Sequence, residues 1–191
     1  MTLQGALTVK GLLPVDLFDR MAKPLGVVLL DDIEANVMDR VVAFVSEKLG
    51  VGVSLLGRAE CRVGYDPTRG QWRADEVIRR CVARFSSPSR FCVGLTGVDL
   101  YVPRLNFVFG LALKREGLAV VSWQRLGDGR EVFVDRLAKE VIHEVGHLEG
   151  LDHCSNDTCI MWFSNTLAET DRKGLDFCQA CARKRGQGST S

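Results

Sequence analysis

Residues 143–153 read H-E-V-G-H-L-E-G-L-D-H, with Cys154 directly after them. All three histidines of the chain lie inside these eleven residues. His143 and His147 are four apart, so a helix places them one turn apart on the same face, where two imidazoles can reach one metal ion. Glu144 lies about 100° further round, too far to be an easy ligand but close enough to reach a metal-held water. Gly150 can adopt a positive φ and end the helix, which lets the chain turn and bring His153 back as a third nitrogen ligand. Three protein ligands on tetrahedral zinc leave one position open, as in catalytic rather than structural sites. Zinc lowers the pKa of its water from about 15.7 to about 7, and Glu144 can accept that proton. The chemistry expected is attack of zinc-bound water on a peptide carbonyl. The plain alternative is a polar helix whose polar positions happen to be histidine. It does not account for the clustering, and the eleven-residue form is far more specific than H-E-x-x-H alone.

A second ligand set follows. Cys154 and Cys159 form C-x4-C, and Cys178 and Cys181 form C-x-x-C. Four thiolates in two close pairs match a closed tetrahedral zinc site. The segment is short, and a metal can hold together what a small core cannot. A redox-active C-x-x-C would be expected beside a βαβ unit, whereas this one lies C-terminal to it. The cofactor expectation is therefore two zinc ions per chain, one catalytic and one structural. His153 and Cys154 are adjacent yet assigned to different ions, so the sulfur site would brace the turn that carries the third histidine. The chain has seven cysteines, an odd number. Cys61, Cys81 and Cys92 stand alone in apolar contexts and read as buried thiols.

Formal net charge is +1 and apolar residues make up 46% of the 191 residues. That supports a substantial core and gives no global attraction to nucleic acid or membrane. No run approaches the roughly 18 apolar residues of a transmembrane helix, and the first residues lack an apolar stretch behind basic ones. The expectation is a cytoplasmic monomer whose partner is a peptide or protein.

Periodicity supplies the frame. Residues 25–30 (LGVVLL) read as a buried strand, 33–49 as an amphipathic helix closed by Gly50, and 51–56 as a second strand. That order predicts a βαβ unit with parallel neighbours. Residues 61–71 read as a loop, 72–85 as a helix and 91–95 as a third strand. Residues 106–113 and 118–123 read as a fourth and fifth strand, joined through 114–117 as an antiparallel hairpin. Asp128 and Glu131 form a capping-box-like D-x-x-E. A wide apolar stripe from Val134 to Leu148 then makes a long buried helix, with Arg136, Lys139 and Glu140 on a solvated face. The fold class is α+β, a twisted mixed five-stranded sheet with a long active-site helix and a small zinc-stapled C-terminal subdomain. The expected divisions are 1–153, 154–181 and a flexible tail over 182–191, with Arg183, Lys184 and Arg185 solvated.

H-E-x-x-H-x-x-G-x-x-H resembles the metzincin zinc peptidases. The added C-x4-C-x-M and C-x-x-C resemble one branch, the archaemetzincins. The resemblance is carried by residues 128–181. It implies that Met161 is the methionine of a Met-turn beneath the three histidines. It also implies that the edge strand, here 106–113, binds an extended peptide by strand addition. Where several metzincins carry tyrosine two residues after that methionine, this chain has Phe163, which offers no phenol. No pro-segment is recognisable upstream.

The leading function is a zinc metallopeptidase, a hydrolase in which His143, His147 and His153 hold the catalytic zinc and Glu144 is the general base. Cys154, Cys159, Cys178 and Cys181 hold the structural zinc. The alternative is a zinc-binding peptide or protein interaction module with little or no turnover. A nucleic-acid-binding zinc ribbon is a third reading, and the near-neutral chain argues against it. An intact Glu144 favours the enzyme, since a pure binder needs no base beside an open zinc position.

Overall fold

The computed structural model describes residues 25–87, 91–127 and 129–187. Its first half is a strand–helix–strand unit. β1 (Leu25–Leu29) leads into α1 (Ala35–Leu49), which ends at Gly50 with φ 69°. β2 (Val53–Arg58) then pairs parallel to β1. β5 (Cys92–Thr96) lies on the other side of β1, also parallel, and β8 (Leu118–Ser122) parallel to β5. β7 (Gly110–Leu113) closes the sheet antiparallel to β8, giving the order β2-β1-β5-β8-β7. The predicted hairpin is present, with a single 3-10 turn over Lys114–Glu116.

The central strands read as unbroken apolar runs because both faces of the sheet are covered. Val27, Leu29, Val93, Leu95, Ala119 and Val121 face α1 and the long helix α3 (Arg130–Leu148). Val28, Leu30, Cys92 and Val120 face the opposite way, against α2 (Ala74–Arg80) and the 3-10 turn Val82–Phe85. Alternation along each strand divides the two cores. Behind α3 come α4 (Leu167–Arg172) and α5 (Gln179–Gln187).

Several expectations change. The stretch 61–71 is not wholly loop. β3 (Tyr65–Asp66) and β4 (Gln71–Arg73) pair antiparallel, and β4 pairs parallel with β6 (Leu100–Tyr101) in a second, small sheet. Trp72 belongs to β4, so the following helix starts at Ala74. The fourth strand begins only at Gly110. Gly129 caps α3 without a side-chain bond, Asp128 lies outside the described residues, and Glu131 instead receives Arg40 at 2.7 Å. A capping box does form elsewhere, at α4, where the Thr166 side chain accepts from the Glu169 backbone N–H.

The face carrying Arg136, Lys139 and Glu140 is not solvated. Lys139 and Glu140 are buried, and Arg136 grips Asp171 at 2.6 and 2.7 Å. The C-terminal segment folds over that face, which the helix's own pattern could not disclose. Arg185 is likewise not solvated: it pairs with Glu149 and lies over the Phe177 ring at 4.3 Å. Cys61 and Cys81 are joined in a disulfide rather than held as thiols, because the chain after β2 returns to the end of α2 and brings their Cα atoms to 5.8 Å.

Denatured in chelator without reductant, the chain is expected to titrate five thiols, those of Cys92, Cys154, Cys159, Cys178 and Cys181. Reduction should raise the count to all seven. Replacing Cys61 and Cys81 together by Ser should lower stability by about 2–4 kcal/mol in a denaturant titration. Seven thiols before reduction, with unchanged stability in the double variant, would count against the bridge.

Candidate functional site

α3 carries its chemistry on its last turns. Its apolar stripe anchors it to the sheet, with Leu137, Ala138, Val141 and Ile142 at 1% exposure or less. That packing fixes the rotation of the helix and so the direction of His143 and His147. The helix ends as the motif predicts: Gly150 has φ 97°, its N–H bonds to the His147 carbonyl, and Leu151 N–H bonds to the Gly146 carbonyl. Turning there returns His153 to the first two histidines. One ring nitrogen from each lies within 4.8 Å of the others.

Two backbone carbonyls orient the rings. His143 Nδ1 lies 2.8 Å from the Ile160 carbonyl, and His147 Nδ1 lies 2.8 Å from the Leu151 carbonyl. A carbonyl can only accept, so each Nδ1 carries the proton and each Nε2 presents its lone pair. Those two Nε2 atoms face one another at 3.1 Å. Burial lowers the basicity of all three imidazoles, most of all His143. Neutral rings with converging lone pairs are the donor set zinc requires.

Glu144 is buried beside them. Burial first, and the Glu140 carboxylate second, push its carboxyl up to about 8, while Lys173 works in the opposite sense. A bound cation would draw it down again. Gly110 of the edge strand lies directly against it: a Cβ there would fall 2.6 Å from Glu144 Oε1 and 2.7 Å from its Cγ. Gly146 plays the matching part behind the helix. A Cβ on it would collide with Met161 Sδ. Met161 is fully buried, and its carbonyl accepts from the Cys154 N–H at 2.9 Å.

The four cysteines converge as well, with their sulfurs within 4.8 Å of one another. Cys154 and Cys178 sulfurs are 3.8 Å apart, and the Cys178 N–H points at Cys159 Sγ at 3.3 Å. Cys178 is lowered to about 7, chiefly by the Cys181 backbone N–H, whereas burial raises Cys159 and Cys181. Four sulfurs with amide donors among them suit a closed thiolate site.

A cleft of ≈ 370 Å³ runs over the histidines. Its lining includes Phe107, Phe109 and Gly110, leading into β7, and Phe163, Ser164 and Asn165, after Met161. Phe163 lies 4.8 Å from the His153 ring. Glu140 and Lys173 also line the cleft, their charges 2.9 Å apart. Sequence reasoning missed this pair, and also Gly110 and Gly146, since none of them belongs to the spaced ligand pattern. Only the separation of Glu140 from Glu144, one helical turn, hinted that both share a face.

The model of peptidase family M54 matches residues 82–186. The archaemetzincin of Methanopyrus kandleri is 40% identical over 149 residues, covering 77% of this chain and 85% of that protein. The archaemetzincin of Pyrococcus furiosus is 36% identical over 162 residues, covering 75% and 84%. Among solved structures, the M. kandleri archaemetzincin superposes with a TM-score of 0.80 at 36% identity, over 88% of this chain and 96% of that one. The Archaeoglobus fulgidus archaemetzincin, complexed with malonate, gives 0.75 at 31% identity, over 84% and 99%. The chain belongs to peptidase family M54, the archaemetzincins, and is a zinc metallopeptidase.

Proposed function

We propose that the chain hydrolyses peptide bonds with Glu144 as general base and that it carries two zinc ions. The observation that carries this reading is the convergence of three neutral imidazoles beside a buried carboxylate in one cleft. His143, His147 and His153 would hold the catalytic ion. Zinc, when bound, supplies a Lewis acid that acidifies water and polarises a carbonyl. The chain's own residues do the rest. Glu144 accepts the proton of the attacking water and delivers it to the departing amine. Gly110 leaves room for that carboxylate to sit against β7. Among the described residues β7 pairs only with β8, so its outer edge can receive an extended peptide by strand addition. Phe163 contributes an apolar surface beside His153, with no phenol to assist. Cys154, Cys159, Cys178 and Cys181 would hold the structural ion. The substrate is a peptide or protein acted on by a cytoplasmic monomer. No helix among the described residues is long and apolar enough to cross a membrane.

Replacing Glu144 by Ala should leave both zincs and the fold in place while lowering kcat by about 10²–10⁴. Hydrolysis at the parent rate in this variant would exclude the role. An intact chain that binds peptides yet turns none over would favour a binding module instead.

Metal analysis after zinc loading should approach two ions per chain. Mild chelation should remove one first, with little change in far-UV circular dichroism, because the histidine site leaves a coordination position open and the sulfur site does not. His147→Ala should lose one ion and stay folded. Cys178→Ser should lose an ion together with thermal stability. A Cys178→Ser protein that melts like the parent and retains two ions would remove the structural site.

A further inference from the structure

Three polar groups on the cleft wall have unspent hydrogen-bonding capacity. Lys173 is 1% exposed, and its ammonium has three donors. Its partner among the described residues is Glu140, at 2.9 Å. Glu140 Oε1 is buried and accepts no aligned hydrogen bond among the described residues, although the Lys173 ammonium lies 2.9 Å away. Ser164 Oγ is buried without a partner among the described residues. All three residues line the cleft that holds the histidines and Glu144. Buried polar groups in folded proteins are normally satisfied. A single charge contact does not repay the desolvation of an ammonium and a carboxylate. The cleft is the side from which a bound ligand can complete the set.

We propose that Lys173, Glu140 and Ser164 form a polar subsite that takes a primary carboxamide side chain of the peptide substrate, glutamine in particular. This rests on the peptidase reading above and names the substrate feature that the same cleft selects. The pair is neutral overall, which decides between side chains. A substrate carboxylate would confront Glu140, and a substrate ammonium would confront Lys173. An apolar side chain would leave Ser164 without a partner and the Lys173–Glu140 pair with its remaining hydrogen-bonding capacity unspent. A carboxamide supplies one carbonyl for the Lys173 ammonium and one NH₂ for Glu140 or Ser164. Glu140 precedes Glu144 by one helical turn, a rise of about 6 Å along α3, so the subsite is set back from the proposed base and favours the longer glutamine over asparagine.

The test uses zinc-loaded full-length protein carrying Glu144→Gln, so that binding is read without turnover. Fluorescent peptides of one sequence carry Gln, Met, Glu or Lys at one position at a time, and fluorescence polarisation reports affinity. At one position Gln should bind at least about tenfold tighter than Met, its near-isostere, and tighter than Glu or Lys. Lys173→Met alone strands a buried carboxylate and can unfold the chain, so the second protein is the double variant Glu140→Leu with Lys173→Met. There the Gln preference should fall to about one or invert. A parent that binds Met as well as Gln at every position overturns the subsite, as does a Gln preference that survives the double variant. Hydrolysis by protein with Glu144 intact is scored separately. Cleavage with no Gln preference overturns the subsite alone. A Gln preference that needs Lys173 and Glu140 but is not followed by cleavage supports the subsite and overturns the hydrolytic reading. No binding of any peptide overturns the subsite.

Discussion

The hydrogen bond between His143 Nδ1 and the Ile160 carbonyl joins two parts of the chain that neither could organise alone. α3 sets where His143 stands. The segment after Cys154 supplies the carbonyl that decides which nitrogen the ring presents. That segment is itself held by Cys154 N–H on the Met161 carbonyl, Ile160 N–H on the Asp176 carbonyl, and the cluster of four sulfurs. These contacts hold the carbonyl in place, and with it the tautomer of the proposed ligand His143. The adjacency of His153 and Cys154 extends the same logic, because the turn that delivers the third histidine is anchored by its next residue.

The resulting electrostatics are those of a site built for a cation. Three imidazoles made neutral by burial, a carboxyl pushed up by burial and a like-charged neighbour, and an ammonium nearby are individually unfavourable placements. Together they describe a pocket of low dielectric in which interactions with charge are strong. The sheet supports this by being rigid: β5 and β8 are buried along their whole length, and α3 packs on them through residues without exposed surface. Chemistry is confined to one end of the helix, and stability comes from the other.

What could be read from the sequence follows the range of the interactions. The His143–His153 spacing is local, so the motif predicted both the helix and its termination at Gly150, and the turn occurs there. β1, β5 and β8 are short continuous apolar runs and α1 repeats its apolar face at helical spacing, and these too were legible. Partners distant in sequence were not. Glu140 carries nothing in its own neighbourhood to announce Lys173, thirty-three positions on. A charged residue on a helix face looks solvated until another segment folds over it. Cys61 and Cys81 gave the same difficulty, since isolated cysteines fit an apolar context whether or not a loop returns to join them. Residues 65–73 hid their pairing because strands of two and three residues are too short to show a period.

The glycines at 110 and 146 were equally silent, yet they set the spacing of the site. Helix and edge strand must come close if one peptide is to lie on β7 and still present its carbonyl to a group on α3. Any side chain at position 110 would stand where the Glu144 carboxylate stands and would hold the strand away from the helix. On the far side, a side chain at 146 would displace Met161, whose backbone carbonyl holds Cys154 and, through it, the turn to His153. One glycine sets the distance from Glu144, the proposed base, to β7, the proposed substrate edge, and the other sets the distance from the helix to the segment that holds the turn to His153. The histidine spacing specifies which atoms converge. The missing side chains specify how closely strand, helix and turn can approach around them, and reach is what proton transfer over hydrogen-bond distance demands.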